Sequence, residues 1–210
     1  TPEAVYLNIS EDRPYAFLLE SLEGDEKTAR YSFVGTDPVE RLIGTDTGLD
    51  RIRGKQRETF TGDPVLLMRE AMSRYKMHVT PGLPRFSGGA VGYFAYDIVR
   101  HFEVIPDNNP DEMNLPDLHF IIAGSVVVFD HLQGKLYVIA NANTDSNDHA
   151  AEYDTARLQI DGILERLKSA GGASGSTVDP LPQKAGTEIP LDPASNVLPE
   201  AYQSVVRQAK

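Results

Sequence analysis

The chain has 210 residues and a formal net charge of −11, and it is 40% hydrophobic with nine Tyr and eight Phe. That length allows one large domain or two small ones, with enough apolar side chains for a real core. The acidic balance argues against a nucleic-acid groove or an anionic membrane surface, no apolar run approaches the roughly 20 residues that span a bilayer, and the absence of Cys excludes a disulfide framework, a Cys₄ zinc site and a thiolate nucleophile.

In chain order, Val5, Leu7 and Ile9 alternate with Tyr6 and Asn8, which predicts a strand over residues 1–9. A turn at 10–14 leads into an apolar strand at 15–19, and a second strand follows at 31–34. Glu23-Gly24-Asp25-Glu26-Lys27 is a turn by composition. Val39 to Ile43 makes a third strand. Arg51, Arg53, Lys55 and Arg57 stand at alternate positions, which on one strand would put four cations on one face. A solvated face is the ordinary meaning of that pattern, and no glycine-rich loop opens a helix to make it a phosphate site.

Asp63-Pro64 predicts a capped helix start, with Val65, Met68, Met72, Tyr75 and Val79 on its apolar face. The two Met are core filler rather than a cofactor box. Residues 86–96 read as a core strand buried on both faces, with Asp97 capping a short helix that carries Val99 and Phe102. Residues 106–116 form a polar loop. A hairpin pairs residues 118–130 with 135–140, and His119 and His131 flank it without metal-ligand spacing. Asp145 to Asn147 caps a long helix through Lys168, with Tyr153, Ala156, Ile160, Ile163, Leu164 and Leu167 on its face. Residues 170–196 are rich in Gly, Ser and Pro and read as a linker. Pro199 opens a last helix with Tyr202, Val205, Val206 and Ala209 on one side.

The candidate site lies at one end of the first hairpin. Glu20, Ser21 and Arg30 come together there, and a carboxylate, a hydroxyl and a guanidinium can hold a zwitterion. The plainer alternative is a strand end beside a surface charge. No catalytic constellation stands out elsewhere: H-E-x-x-H and Gly-Lys-Ser/Thr are absent.

The same stretch carries a family resemblance. L-L-E-S-x-E-G at 18–24, followed by R-Y-S-F-V-G at 30–35, resembles the N-terminal signature of anthranilate synthase component I. G-G-A-V-G-Y-F-A-Y-D at 88–97, then Val99-Arg100 and Phe102-Glu103, resembles a second block of the same domain. Thr1-Pro2 with Val5-Tyr6-Leu7, and Tyr202, Val205, Ala209 and Lys210, resemble its terminal segments.

The resemblance implies an α+β fold of mainly antiparallel sheets with helices outside, part of a four-layer α/β/β/α sandwich. It implies an N-terminal regulatory domain over residues 1–169, a linker at 170–197, and the start of a truncated chorismate-binding domain at 198–210. The unburied face of the last helix agrees with a chain cut before that domain. The intact enzyme would convert chorismate and glutamine-derived ammonia to anthranilate and pyruvate. Its Mg²⁺ ligands and catalytic residues would lie outside this chain, which alone would be inactive. The implied partners are a glutamine amidotransferase subunit, chorismate through the missing domain, and L-tryptophan as inhibitor, held in part by Ser21, Glu20 and Arg30. The family often has Lys near the Arg30 position. The implied compartment is the cytoplasm. The alternatives are aminodeoxychorismate synthase component I and a non-enzymatic interaction module.

Overall fold

The computed structural model describes residues 1–20, 30–106, 110, 111, 113–172 and 198–209. It has two compact units, Thr1–Gly172 and Ala173–Lys210. Of the second, the described part is one helix, α4 (Pro199–Ala209), on which Tyr202 and Val205 are exposed.

The first unit is an α/β/β/α sandwich, as the family resemblance implies. One sheet contains β1 (Phe17–Leu19), β2 (Tyr31–Gly35), β8 (Ser125–Asp130) and β9 (Lys135–Ala140), in the order β1-β2-β8-β9. The other contains β3 (Glu40–Thr45), β4 (Gly48–Arg53), β5 (Gln56–Thr61), β6 (Gly89–Phe94) and β7 (Leu118–Ala123), in the order β5-β4-β3-β7-β6. Every pairing is antiparallel. Between the sheets Phe17, Ile121, Ala123, Val126, Val128 and Ile139 form one core. Helix α2 (Pro64–Ser73) covers the far face of the five-stranded sheet through Met68 and Ala71 against Leu42, Leu49, Leu118 and Ile122. Helices α1 (Pro2–Ser10) and α3 (His149–Gly172) cover the far face of the other sheet, where Ile9 and Ile163 meet Val34 and Val127.

The two-residue period of a strand explains the apolar run at 126–129. Val126 and Val128 face the opposite sheet, and Val127 faces the helices. Both faces are buried, so no polar alternation is needed.

Several sequence expectations are corrected. Residues 2–10 are helical, not extended. Thr1 accepts from the Ala4 amide at 3.3 Å and Pro2 opens the helix, the usual N-terminal chemistry. Residues 51–57 are not one strand. Gly54, at φ +56°, turns the chain, and Arg53 pairs with Gln56 across a two-residue hairpin. Residues 118–130 are two strands in different sheets, divided at Gly124, where an added Cβ would lie 2.6 Å from Val39. Asn141 secures the crossing by donating from its amide side chain to the carbonyls of Ser87 at 2.8 Å and Gly124 at 3.2 Å.

Strand β6 is an edge strand, and Tyr93 and Phe94 are exposed rather than buried on both sides. The 3-10 helix at Tyr96–His101 begins without a side-chain cap, and Asp97 instead accepts from Arg100 Nε at 2.9 Å. Helix α2 ends at Ser73, so Val79 lies outside it and is exposed. On α3, Ala156 and Ile163 are buried but Tyr153 and Leu164 are exposed, a narrower face than the spacing suggests. Helix α3 runs to Gly172, past the expected boundary at 169, and most of the expected linker lies outside the described residues.

Candidate functional site

The hairpin that organises the sequence is present. Strands β1 and β2 pair with Phe17 opposite Gly35 and Leu19 opposite Phe33. Glu20 follows β1 directly and is half-buried, so it stands at the end of the hairpin where Arg30 and Ser32 enter β2. Ser21 lies outside the described residues.

Arg30 is tied from the side that the sequence does not reveal. Its Nε donates to Asp130 Oδ1 at 3.1 Å and its Nη2 to Asp130 Oδ2 at 2.7 Å, the two-pronged geometry that suits a planar guanidinium. Asp130 ends β8 and its side chain is 1% exposed, whereas that of Arg30 is 29% exposed. The Arg30 guanidinium also lies 4.8 Å above the Tyr31 ring. The hydrogen bond from Arg30 holds the Asp130 carboxyl below the usual carboxylate range, against the opposing effect of burial, and the Gln133 amide assists at 3.0 Å.

The same edge is closed by a second pair. Ser32 Oγ and His131 Nε2 share a hydrogen bond of 2.7 Å, and the His131 amide donates to the Arg30 carbonyl at 2.9 Å. Ser32, Asp130 and His131 are the residues that sequence reading missed. Asp130 stands 100 positions from Arg30 and His131 stands 99 from Ser32, and only the register that sets Tyr31 opposite Asp130 brings each pair together.

The arginine series at 51–57 is neutralised by structure. Buried Glu40 accepts from Arg51 and from the Tyr75 hydroxyl, and its Oε2 also accepts from Arg53 Nε and Nη2, each at 3.2 Å. Burial pushes the Glu40 carboxyl up, but hydrogen bonds from Tyr75 and Arg51 and the charges of both arginines outweigh it, and the net direction is down. Arg57 pairs with Asp50. Beside this cluster is a cavity of about 20 Å³ lined by Leu49, Arg51 and Leu67, room for one water. A larger open groove of about 490 Å³ runs over Thr45, Thr47, Asp50, Arg57 and Thr59.

Among the described residues no group of three His, Asp or Glu side chains converges in a way that could hold a metal ion. No helix among them is long and apolar enough to cross a membrane.

A family model described as chorismate binding enzyme matches residues 16–210. The chain belongs to that family. The match begins at residue 16, so the family's signal is not confined to residues 198–210, and the expectation of a chain lacking the chorismate-binding part is corrected to that extent. Over 139 residues the chain is 43% identical to anthranilate synthase component 1 of Acetivibrio thermocellus, covering 65% of this chain and 28% of that protein. It is 40% identical over 173 residues to that of Pseudomonas aeruginosa, covering 80% and 34%. It is 33% identical over 211 residues to that of Aquifex aeolicus, covering 100% and 41%. The chain therefore spans between 28% and 41% of the length of these relatives. The crystal structure of anthranilate synthase component I from Streptococcus pneumoniae superposes with a TM-score of 0.57 at 24% identity, covering 95% of this chain and 41% of that one, which establishes the fold.

Proposed function

We propose that this chain is the N-terminal regulatory part of an anthranilate synthase component I. The whole enzyme would make anthranilate and pyruvate from chorismate and ammonia, in the cytoplasm, with a glutamine amidotransferase subunit supplying the ammonia. The observation that carries this reading is the family match through residues 16–210, joined to relatives that are themselves component 1 proteins. The partial coverage of those relatives supports a piece of a longer enzyme, with chemistry and Mg²⁺ ligands supplied beyond this chain.

Glu20, Ser21 and Arg30 would hold the zwitterion of L-tryptophan: the carboxylate takes its ammonium, and the guanidinium takes its carboxyl group. Support for this comes from the hairpin, which sets Glu20 and Arg30 at one end. Among the described residues Asp130 occupies two of the five donors of Arg30, leaving donors on a partly exposed guanidinium for a ligand. The rest of the pocket would come from the following domain. Inhibition would then be a population shift, with tryptophan and chorismate favouring different placements of the two parts.

The test is product analysis of the enzyme extended through the next domain, given chorismate and ammonia with and without L-tryptophan. Anthranilate formation that tryptophan suppresses, and that Ser21→Phe releases from suppression, is the expected result. An aminodeoxychorismate product, or suppression unchanged in Ser21→Phe, would overturn the reading.

A further inference from the structure

Arg30 is fixed from three directions. The buried Asp130 carboxylate grips the Nε–Nη2 edge with bonds of 3.1 and 2.7 Å. The Tyr31 ring lies 4.8 Å beneath the guanidinium. The main chain of Arg30 is held at its carbonyl by the His131 amide at 2.9 Å. Asp130 is anchored in turn, because Oδ1 also accepts from the Gln133 amide at 3.0 Å within the β8–β9 turn. That turn is tied back to β2 by the Ser32–His131 bond of 2.7 Å. A free arginine side chain on a surface loses considerable rotamer entropy when it captures a ligand. Here that ordering is already done before any ligand arrives.

We propose that Asp130 is a positioning residue of the amino-acid regulatory site, and that the β8–β9 turn, Asp130 to Gln133, is its supporting wall. This rests on the assignment of Arg30 to that site. Asp130 touches no ligand: its carboxylate sets the plane of the guanidinium, so that the remaining N–H groups meet an incoming carboxylate in one orientation. The ligand class follows from the charges. Arg30 and Asp130 together are neutral, so a plain anion gains little long-range attraction, whereas an α-amino acid zwitterion can also place its ammonium on Glu20.

The test measures the tryptophan inhibition constant in the enzyme extended through the next domain, for Asp130→Asn, Arg30→Ala, Arg30→Lys and the Asp130→Asn/Arg30→Ala pair. Asp130→Asn is expected to weaken inhibition about ten-fold, the scale of one charge-assisted hydrogen bond. In the Arg30→Ala background the same change should have no further effect, because Asp130 acts only through Arg30. A merely structural Asp130 would weaken inhibition equally in both backgrounds, and that result overturns the proposal. Arg30→Lys keeps the charge but cannot take the two-pronged bond, so it should lose as much inhibition as Asp130→Asn. Full inhibition in Arg30→Lys overturns the proposal even if Asp130→Asn does not fold. Inhibition unchanged in both Arg30→Ala and Ser21→Ala would instead remove the regulatory site itself.

Discussion

Glu40→Ala should be the most damaging single polar substitution in the sandwich. The Glu40 side chain is fully buried and neutralises Arg51, whose side chain is only 6% exposed. Removing one partner of a buried pair leaves the other charge poorly compensated and costs about 3–5 kcal/mol; Arg51 would keep only the long 3.7 Å contact to the exposed Glu58 carboxylate. The Tyr75 hydroxyl loses its acceptor as well, about 1 kcal/mol. Arg53 is 54% exposed, so solvent screens its share and it adds little. These terms overlap, and about 4 kcal/mol is expected in total. With a urea dependence of ~2 kcal/mol per M, the unfolding midpoint should fall by about 2 M. Far-UV circular dichroism in urea reads this directly. A midpoint lowered by less than ~0.5 M would refute the reasoning, because Glu58 or water would then be enough to satisfy Arg51. Replacing both Glu40 and Arg51 with apolar residues should recover much of the loss, since the penalty comes from the orphaned charge.

The acid limb gives a second check on the same carboxylate. Glu40 titrates lower in the folded chain than in the unfolded one, so its contribution is complete above the unfolded value of about 4.3 and is lost as pH falls through the folded value. Subtracting the Glu40→Gln stability curve from the wild-type curve should isolate a difference that is flat at neutral pH and shrinks below about pH 4; a difference that grows on acidification would contradict the sign. Gly92→Ala should destabilise by about 1–3 kcal/mol in thermal unfolding, because a Cβ there would run into the His119 carbonyl oxygen and lie 2.6 Å from Phe120 Cα, both backbone atoms. An unchanged melting temperature would mean that β6 and β7 can separate at no cost.

Local chemistry was legible in the sequence wherever one short window carried it. Asp63-Pro64 starts α2 as read, with the Asp63 carboxylate accepting from the Val65 and Leu66 amides at 2.7 and 3.1 Å. The valine run at 126–128 is a doubly buried strand, and Met68 is core filler. Alternation misled at residues 1–9, because Val5 and Ile9 are spaced equally well for a helical face, and the Thr1-Pro2 cap was the better guide. The arginine spacing misled because Gly54 can hold a turn that reverses the strand. The change of sheet at Gly124 and the Arg30–Asp130 and Ser32–His131 contacts depend on pairing between distant strands. Nothing in the windows around Asp130 or His131 announces Arg30 or Ser32, and only the β2–β8 register does so. Glu20 directly follows β1 and Arg30 directly precedes β2, and that pairing is local enough to be read from one window.

The most direct test of the account is calorimetric titration of L-tryptophan into this chain and into the enzyme extended through the next domain. Tight binding to the extended enzyme, with only weak binding to this chain and loss on Ser21→Ala, is the predicted result. Failure of the extended enzyme to bind tryptophan would contradict the regulatory assignment and remove the roles given to Glu20, Ser21 and Arg30.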